Sequence, residues 1–280
     1  MRVSGFTIAR NAVKFNYPLV ESIRSILPIC DEFIVNMGDS EDGTYELIKS
    51  IKSSKIRIVE YDWDFSMGKE VLSCQTNLAL KECKGDWAFY LQSDEVIHEQ
   101  DLPKIEKAMD CYGPDKKIDA LRFRWFHFYG SYWRYRIDGG WYQKQDRIIR
   151  NNGTIESYGD AYAFRRKDGQ PLHRKNTGAF IYHYGWVQPS DVMAQRRKNA
   201  EEIGFVRLLD AERKEEYEYG SLKRFHPYFG SHPQSMEEEI RQHDVSQRDY
   251  RDIQKKYWWH PLRMLGVRYK TGKRIKERIV

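Results

Sequence analysis

Four short segments of this 280-residue chain gather side chains that could do chemistry: Arg10-Asn11, Gly38-Asp39-Ser40-Glu41-Asp42-Gly43-Thr44, Asp62-Trp63-Asp64 and Ser93-Asp94-Glu95. Three of the four are crowded with carboxylates, groups that take up protons, accept hydrogen bonds from hydroxyls and ligate hard cations. Singly, Asp, Ser and Gly are ordinary turn and N-cap residues. Their recurrence carries weight because each segment follows an apolar run of strand length, at residues 3–9, 32–36, 56–60 and 87–92. In an open α/β sheet the ligand crevice lies beyond the carboxyl ends of the strands.

The segments between these runs have helical spacing. Residues 18–27 open on Pro18 and carry apolar residues at helix period, and residues 45–51 and 70–83 continue the alternation. Such a pattern predicts successive βαβ units and a largely parallel sheet over residues 1–115. Neither Gly-x-Gly-x-x-Gly nor Gly-x-x-x-x-Gly-Lys-Ser/Thr occurs, which argues against dinucleotide-binding and P-loop folds. Further on, residues 121–129 alternate with period 2, predicting a long strand with one aromatic and one basic face. Residues 147–150 and 179–182 read as strands and residues 189–209 as a helix. From residue 211 the chain is polar and charge-rich, with an irregular segment at residues 225–233.

Composition bounds the class. Hydrophobic residues make up 40% and charged residues 31%, which suits a globular chain rather than a disordered one. No apolar stretch approaches the ~20 residues of a spanning helix, and the first residues lack a secretory h-region, so a cytoplasmic location is expected. The four cysteines form no Cys-x-x-Cys pair and read as buried thiols. Lys plus Arg is 47 against 41 for Asp plus Glu, a mild +6 that suits an anionic partner. Residues 257–259 are aromatic and 270–278 basic, a gradient fitting peripheral contact with the inner membrane face, an acidic partner or an exposed helix in water.

On these strand-end segments the chain resembles the family 2 glycosyltransferases, in which a first strand ends near the nucleotide, a second ends in a DDGSTDGT-like turn and a fourth in a DxD motif. Ser40-Glu41-Asp42-Gly43-Thr44 stands where that family has STDGT. Gln92-Ser93-Asp94 stands where it has DxD, followed by Glu95 as in DADE-type members. The resemblance covers roughly the first 110 residues. It implies an α/β fold of GT-A type: a Rossmann-like nucleotide-binding half with a mixed central sheet (1–115), an acceptor-binding half of the same domain (116–210) and a charged, mostly helical C-terminal extension (211–280). The implied activity is inverting transfer of a sugar from a nucleotide-diphosphate sugar to a hydroxyl of a glycan or lipid-linked acceptor, in cell-surface polysaccharide or lipopolysaccharide synthesis.

The resemblance also distributes roles. Thr7, Ala9, Arg10, Asn11, Gln92 and Ser93 would border the nucleotide. Met37-Gly38 replaces the usual nucleotide-contacting acids, leaving Asp39 to meet base or ribose. Gln92, a weak metal ligand, replaces the first DxD acid, so Asp94 would ligate Mg2+ or Mn2+, a cation able to neutralise the departing diphosphate. His183 would complete the shell, as a late histidine does in related enzymes, or else pack as an ordinary core residue. Inversion needs a general base, and Asp160 is the choice, with Glu156 the alternative. Lys69, Arg147 and Arg150 are candidates to pair with diphosphate oxygens. Aromatics between Trp125 and Tyr135, with Trp141 and Tyr142, would divide between a sugar-stacking platform and core.

Two rival readings stand beside this one. Arg122-Phe123-Arg124-Trp125 and Trp133-Arg134-Tyr135-Arg136 interleave basic and aromatic residues as single-strand nucleic-acid binders do. The mild net charge argues against that module, and it leaves the strand-end carboxylates unexplained. A sugar-nucleotide nucleotidyltransferase would share the architecture, but Ala9-Arg10-Asn11-Ala12 is not its Gly-rich loop.

Overall fold

The computed structural model describes residues 1–137, 141–209 and 212–243. Its first half alternates strand and helix: β1 (Val3–Ala9), α1 (Leu19–Ile26), β2 (Glu32–Met37), α2 (Thr44–Lys49), β3 (Ile56–Glu60), α3 (Glu70–Glu82) and β4 (Trp87–Tyr90). The four strands are parallel in the order β3-β2-β1-β4, as helical crossovers require. β1 is buried along its whole length, so its sequence is a continuous apolar run rather than an alternating one. On one face Leu19, Ile23 and Ile26 of α1 pack with Phe33, Val35, Trp87 and Phe89. On the other, Ala79 and Leu80 of α3 pack with Phe6, Ile34, Ala88 and Tyr90.

The second half comprises β5 (Glu95–Ile97), α4 (Leu102–Tyr112), β6 (Ala120–Tyr129), β7 (Arg134–Arg136), β8 (Lys144–Arg150), β9 (Ile155–Tyr158), β10 (Ala163–Arg166), β11 (Arg174–Trp186), α5 (Ser190–Glu202), β12 (His226–Pro227) and α6 (Glu237–His243). The same sheet continues past β4 through β8, β6, β7 and β12, antiparallel at each step. β11 runs parallel to β6 and antiparallel to β5, while β9 and β10 form a separate hairpin. The sheet is therefore mixed, the α/β arrangement of GT-A type that the resemblance implied.

Several boundaries and faces differ from the sequence expectation. α5 stops at Glu202 rather than near residue 209 because Gly204 adopts φ 72°, the left-handed conformation that ends helices. β6 has the expected period but not the expected faces: Phe123 and Trp125 join one core cluster, while Phe126 and Phe128 join Tyr182, Tyr184 and Tyr228 in another on the opposite side. Arg122 pairs with Asp146, and Arg124 lies 5.8 Å over Phe180. The aromatic residues of the run that resembled a nucleic-acid surface are thus core. Cys30 and Cys83 are buried, Cys74 half-buried and Cys111 exposed, which corrects the reading of all four as buried. Within residues 212–243, the 3₁₀ turns Leu222–Arg224 and Gln234–Met236, the short strand β12 and α6 are joined by irregular chain. The aromatic residues 257–259 and the basic residues 270–278, with the membrane contact expected of them, lie outside the described residues. No described helix is long and apolar enough to cross a membrane.

Arg147 of β8 is fully buried against Glu95 of β5, also fully buried. Arg147 Nε donates to Oε2 and Nη2 to Oε1, each at 2.7 Å, and Nη1 donates to the Tyr162 carbonyl at 2.9 Å. Burial opposes the Arg147 charge, yet the Glu95 carboxylate outweighs it and holds the guanidinium above its usual range. The expected diphosphate contact of Arg147 is therefore corrected: its donors face inward. Arg150, at the far end of β8, is corrected likewise, because it donates to the carbonyls of Tyr112, Gly113, Asp115 and Ile118 and closes the end of α4. Arg147→Met leaves a buried carboxylate unpaired and is expected to cost about 3–5 kcal/mol, whereas Glu95→Leu with Arg147→Met should cost far less. Urea unfolding measures both, and equal losses in the single and double variants would contradict this account.

Candidate active site

The loops that follow β1 and β2 are stitched together. The Asn11 amide donates to Ser40 Oγ at 3.0 Å, the Glu41 amide to Asn11 Oδ1 at 3.3 Å and the Ala12 amide to Thr44 Oγ1 at 2.8 Å. The Lys14 amide donates to Asp42 Oδ2, and Thr44 Oγ1 to Asp42 Oδ1, both at 2.6 Å. Burial acts to raise the Asp42 pKa, but these hydrogen bonds hold it below the usual range. Asn11 sits at φ 51°, a conformation that Asn tolerates better than most residues. The Ser-Glu-Asp-Gly-Thr turn is thus a staple between two loops. Asp39 stays exposed beside it. The Arg10 guanidinium lies 4.7 Å over Phe65, with a buried Nε that has no partner.

Other expected nucleotide neighbours are engaged inside the sheet or stand apart. Thr7 Oγ1 donates to the Leu91 carbonyl at 2.6 Å and is fully buried, which corrects its expected contact with a nucleotide. Ser93 Oγ donates to the Ile8 carbonyl at 2.9 Å, so Thr7 and Ser93 tie the end of β1 to the turn after β4. Ala9 is buried at the end of β1, and Lys69 is exposed at the start of α3.

β4 ends at Tyr90, leaving Gln92-Ser93-Asp94 as the turn into β5. β5 pairs with β11 so that Glu95 faces His183, which brings His183 Nε2 to 3.5 Å from Asp94 Oδ2. The Tyr184 amide also donates to the Asp94 carbonyl at 2.9 Å. Burial acts to raise the Asp94 pKa, but His183 and Arg196 together hold the carboxyl below its usual range. Behind His183 lies His127 of β6, with the two Nδ1 atoms 3.2 Å apart and His127 Nε2 2.7 Å from the Tyr142 carbonyl. Burial, aided by His183, pulls the His127 pKa to about 3.

Gly185 lets this pair pack against the main chain of β11. A Cβ there would collide with Asp94 Oδ2 and lie 2.8 Å from His183 Nε2. One carboxylate oxygen and one imidazole nitrogen 3.5 Å apart could serve as two ligands of a divalent cation such as Mn2+ or Mg2+. Among the described residues no cluster of three or more His, Cys, Asp or Glu could hold a metal. Asp94 and His183 would therefore share such an ion with substrate oxygens and water, the usual arrangement at phosphate sites.

The turn between β9 and β10 approaches the same edge: Gln92 Nε2 donates to the Ala161 carbonyl at 3.3 Å. Gly159 and Ala161 adopt φ 61° and 60°, and for Ala161 that is a strained conformation of the kind that collects at functional sites. Between them Asp160 has a buried Oδ1 with no hydrogen-bond partner. Glu156 instead pairs with Arg165 at 2.9 Å on the hairpin, which engages the carboxylate expected as the alternative base.

Residues 6–170, more than half of the chain, match the family model described as Glycosyl transferase family 2. The chain belongs to glycosyltransferase family 2. No curated protein matches it. Solved structures with similarity include S. aureus TarS 1–349 in complex with UDP-GlcNAc, at 15% identity and TM-score 0.42, covering 76% of this chain and 69% of that one. Against another S. aureus TarS structure, at TM-score 0.44 and 15% identity, the matched region covers 76% of this chain and 41% of that one. Mycobacterium tuberculosis glucosyl-3-phosphoglycerate synthase with Mn2+, UDP and phosphoglyceric acid matches at 15% identity and TM-score 0.38, covering 65% of this chain and 70% of that one.

Three residues of this family 2 chain escape sequence reasoning. His127 and Gly185 meet His183 only through strand register. Arg196 of α5 donates to the carbonyls of Phe15, Asn16 and Gly185 at 2.6, 2.9 and 2.9 Å while lying 3.9 Å over Tyr17, and so ties the loop after β1 to the end of β11. The only local signal is a Gly two residues after the His, within the same strand. Of the expected aromatic platform, Trp125 is core, whereas Trp141 is half-buried, 5.6 Å from half-buried Trp186 and 5.0 Å from His127. Gly185→Ala has no positive φ to fight, so it should fold normally while displacing Asp94 or His183. Mn2+ affinity, read by electron paramagnetic resonance of the free ion, is expected to fall at least about tenfold, by analogy with the cost of disturbing a ligand shell; unchanged affinity would place the cation elsewhere.

Proposed function

We propose that this family 2 chain transfers a sugar, with inversion, from a nucleoside-diphosphate sugar to a hydroxyl of a glycan or lipid-linked acceptor, using Mg2+ or Mn2+. The observation that carries the reading is the approach of Asp94 Oδ2 and His183 Nε2 to 3.5 Å beside Gly185, with Asp94 at the carboxyl end of the parallel strands. When bound, the divalent ion would supply neutralising charge to the diphosphate leaving group. Asp94 and His183 would hold it, and Arg10 and Lys69 would add positive charge along the phosphate path. Asp39, exposed beside the stapled loops, would read base or ribose, and Gln92 would hydrogen-bond the donor. Asp160 would take the acceptor proton at its unpartnered Oδ1, with attack opposite the departing diphosphate giving inversion. Trp141 and Trp186 would offer ring faces to an acceptor sugar. This role belongs to cell-surface polysaccharide or lipopolysaccharide synthesis at the cytoplasmic face of the membrane.

Calorimetry with UDP, GDP and CDP, each with and without Mn2+, tests the donor class. One nucleotide is expected to bind only with metal and to lose at least about tenfold in affinity on Asp94→Asn; no binding under any condition would remove the reading. For the base, Asp160→Asn should leave that nucleotide affinity unchanged while lowering turnover by about 10²–10⁴. Release of nucleoside diphosphate from the donor gives the rate, and full turnover in the variant would exclude Asp160.

A further inference from the structure

His127 has no part in the scheme above, yet it is buried in contact with a proposed metal ligand. We propose that His127 is a positioning residue that fixes the proton of His183 on Nδ1, so that His183 Nε2 presents its lone pair to the cation. The inference rests on the proposed metal role of Asp94 and His183.

The hydrogen bonds of His127 run one way. The Tyr142 carbonyl can only accept, so the proton of a neutral His127 is on Nε2, 2.7 Å away. Its Nδ1 then carries a lone pair and accepts from His183 Nδ1 at 3.2 Å. A hydrogen on His183 Nδ1 satisfies that acceptor, while the Asp94 carboxylate competes for the proton of a neutral His183 at Nε2; a charged His183 serves both. That Nε2 faces Asp94 Oδ2. The hydrogen bond made by one imidazole nitrogen decides which tautomer the other presents. A free histidine side chain in water favours the opposite tautomer, with hydrogen on Nε2, which would point a proton at the cation. Neither ring can readily turn. His127 stacks on Trp125 with centroids 6.3 Å apart and meets Trp141 and Tyr142 edgewise at 5.0 Å, while β6–β11 pairing sets His127 opposite His183. The relay is thus built by strand register and an aromatic enclosure, and it ends on a main-chain carbonyl that side-chain substitution leaves in place.

The test uses the full chain labelled with 15N-histidine, metal-free, at about pH 9, well above the ordinary histidine pKa. Long-range proton–nitrogen correlation spectra report each tautomer, and His183→Ala assigns the signal. His183 is expected as the Nδ1–H form in the wild type, to shift toward Nε2–H in His127→Phe, and to remain Nδ1–H in His127→Gln, whose amide offers both an acceptor and a donor. Mn2+ affinity should fall about 10–100-fold in His127→Phe, the usual effect of losing an outer hydrogen bond to a ligand, and recover in His127→Gln. An Nε2–H His183 in the wild type overturns the inference without any variant, so poor folding of His127→Phe does not shield it. An unchanged tautomer in folded His127→Phe overturns it as well. Failure of the wild type to bind Mn2+ with or without nucleotide would instead overturn the metal reading, while the tautomer spectra still decide the role of His127.

Discussion

The geometry of the candidate site hangs on one ion pair without water. Glu95 and Arg147 are both fully buried, and an unpaired charge at either position would be costly. Pairing of Nε and Nη2 with the two carboxylate oxygens offsets that cost. Nη1 donates to the Tyr162 and Asp146 carbonyls, and Trp125 and Tyr90 cover the guanidinium. The arrangement fixes three things at once. Asp94 is the residue beside Glu95; the Gln92 amide donates to Glu95 Oε2; and Tyr162 closes the turn that carries Asp160. The site's two proposed working acids, Asp94 and Asp160, are thereby referenced to the same buried charge.

The first half of the fold was legible because the signals are local. Continuous apolar runs mark strands covered on both faces, and helical spacing between them marks crossovers, so the edge where carboxylates gather followed directly. Which of those carboxylates face outward was not legible. Asp42 reads like Asp39 in the sequence, yet Asp42 caps a turn and staples a loop while Asp39 stays exposed. Arg147 and Arg150 look like phosphate ligands for the same reason: burial of an arginine is decided by partners 52 and 32 residues away in the chain, Glu95 and Ile118.

β6 illustrates the limit of periodicity. Alternation told correctly that residues 121–129 form a strand, but the contrast of an aromatic and a basic face presumed one face in water. Both faces are covered, because Ile105, Ala108 and Met109 of α4 share the core of Phe123 and Trp125, and Tyr228 and Met236 share that of Phe126 and Phe128, so aromatics occupy both sides. The pairing of His127 with His183 depends on the β6–β11 register across 56 residues, a quantity that no local pattern encodes.

Asp94, His183 and Gly185, and His127 behind them, come from strands that meet only in the folded chain. The unfolded chain has no counterpart to this grouping, so a ligand held by it would bind one state and not the other. Its affinity is then added to conformational stability: a ligand at one hundred times its Kd contributes about 2.7 kcal/mol. Resistance to heat and proteolysis would thereby become a gauge of how much of that ligand is at hand.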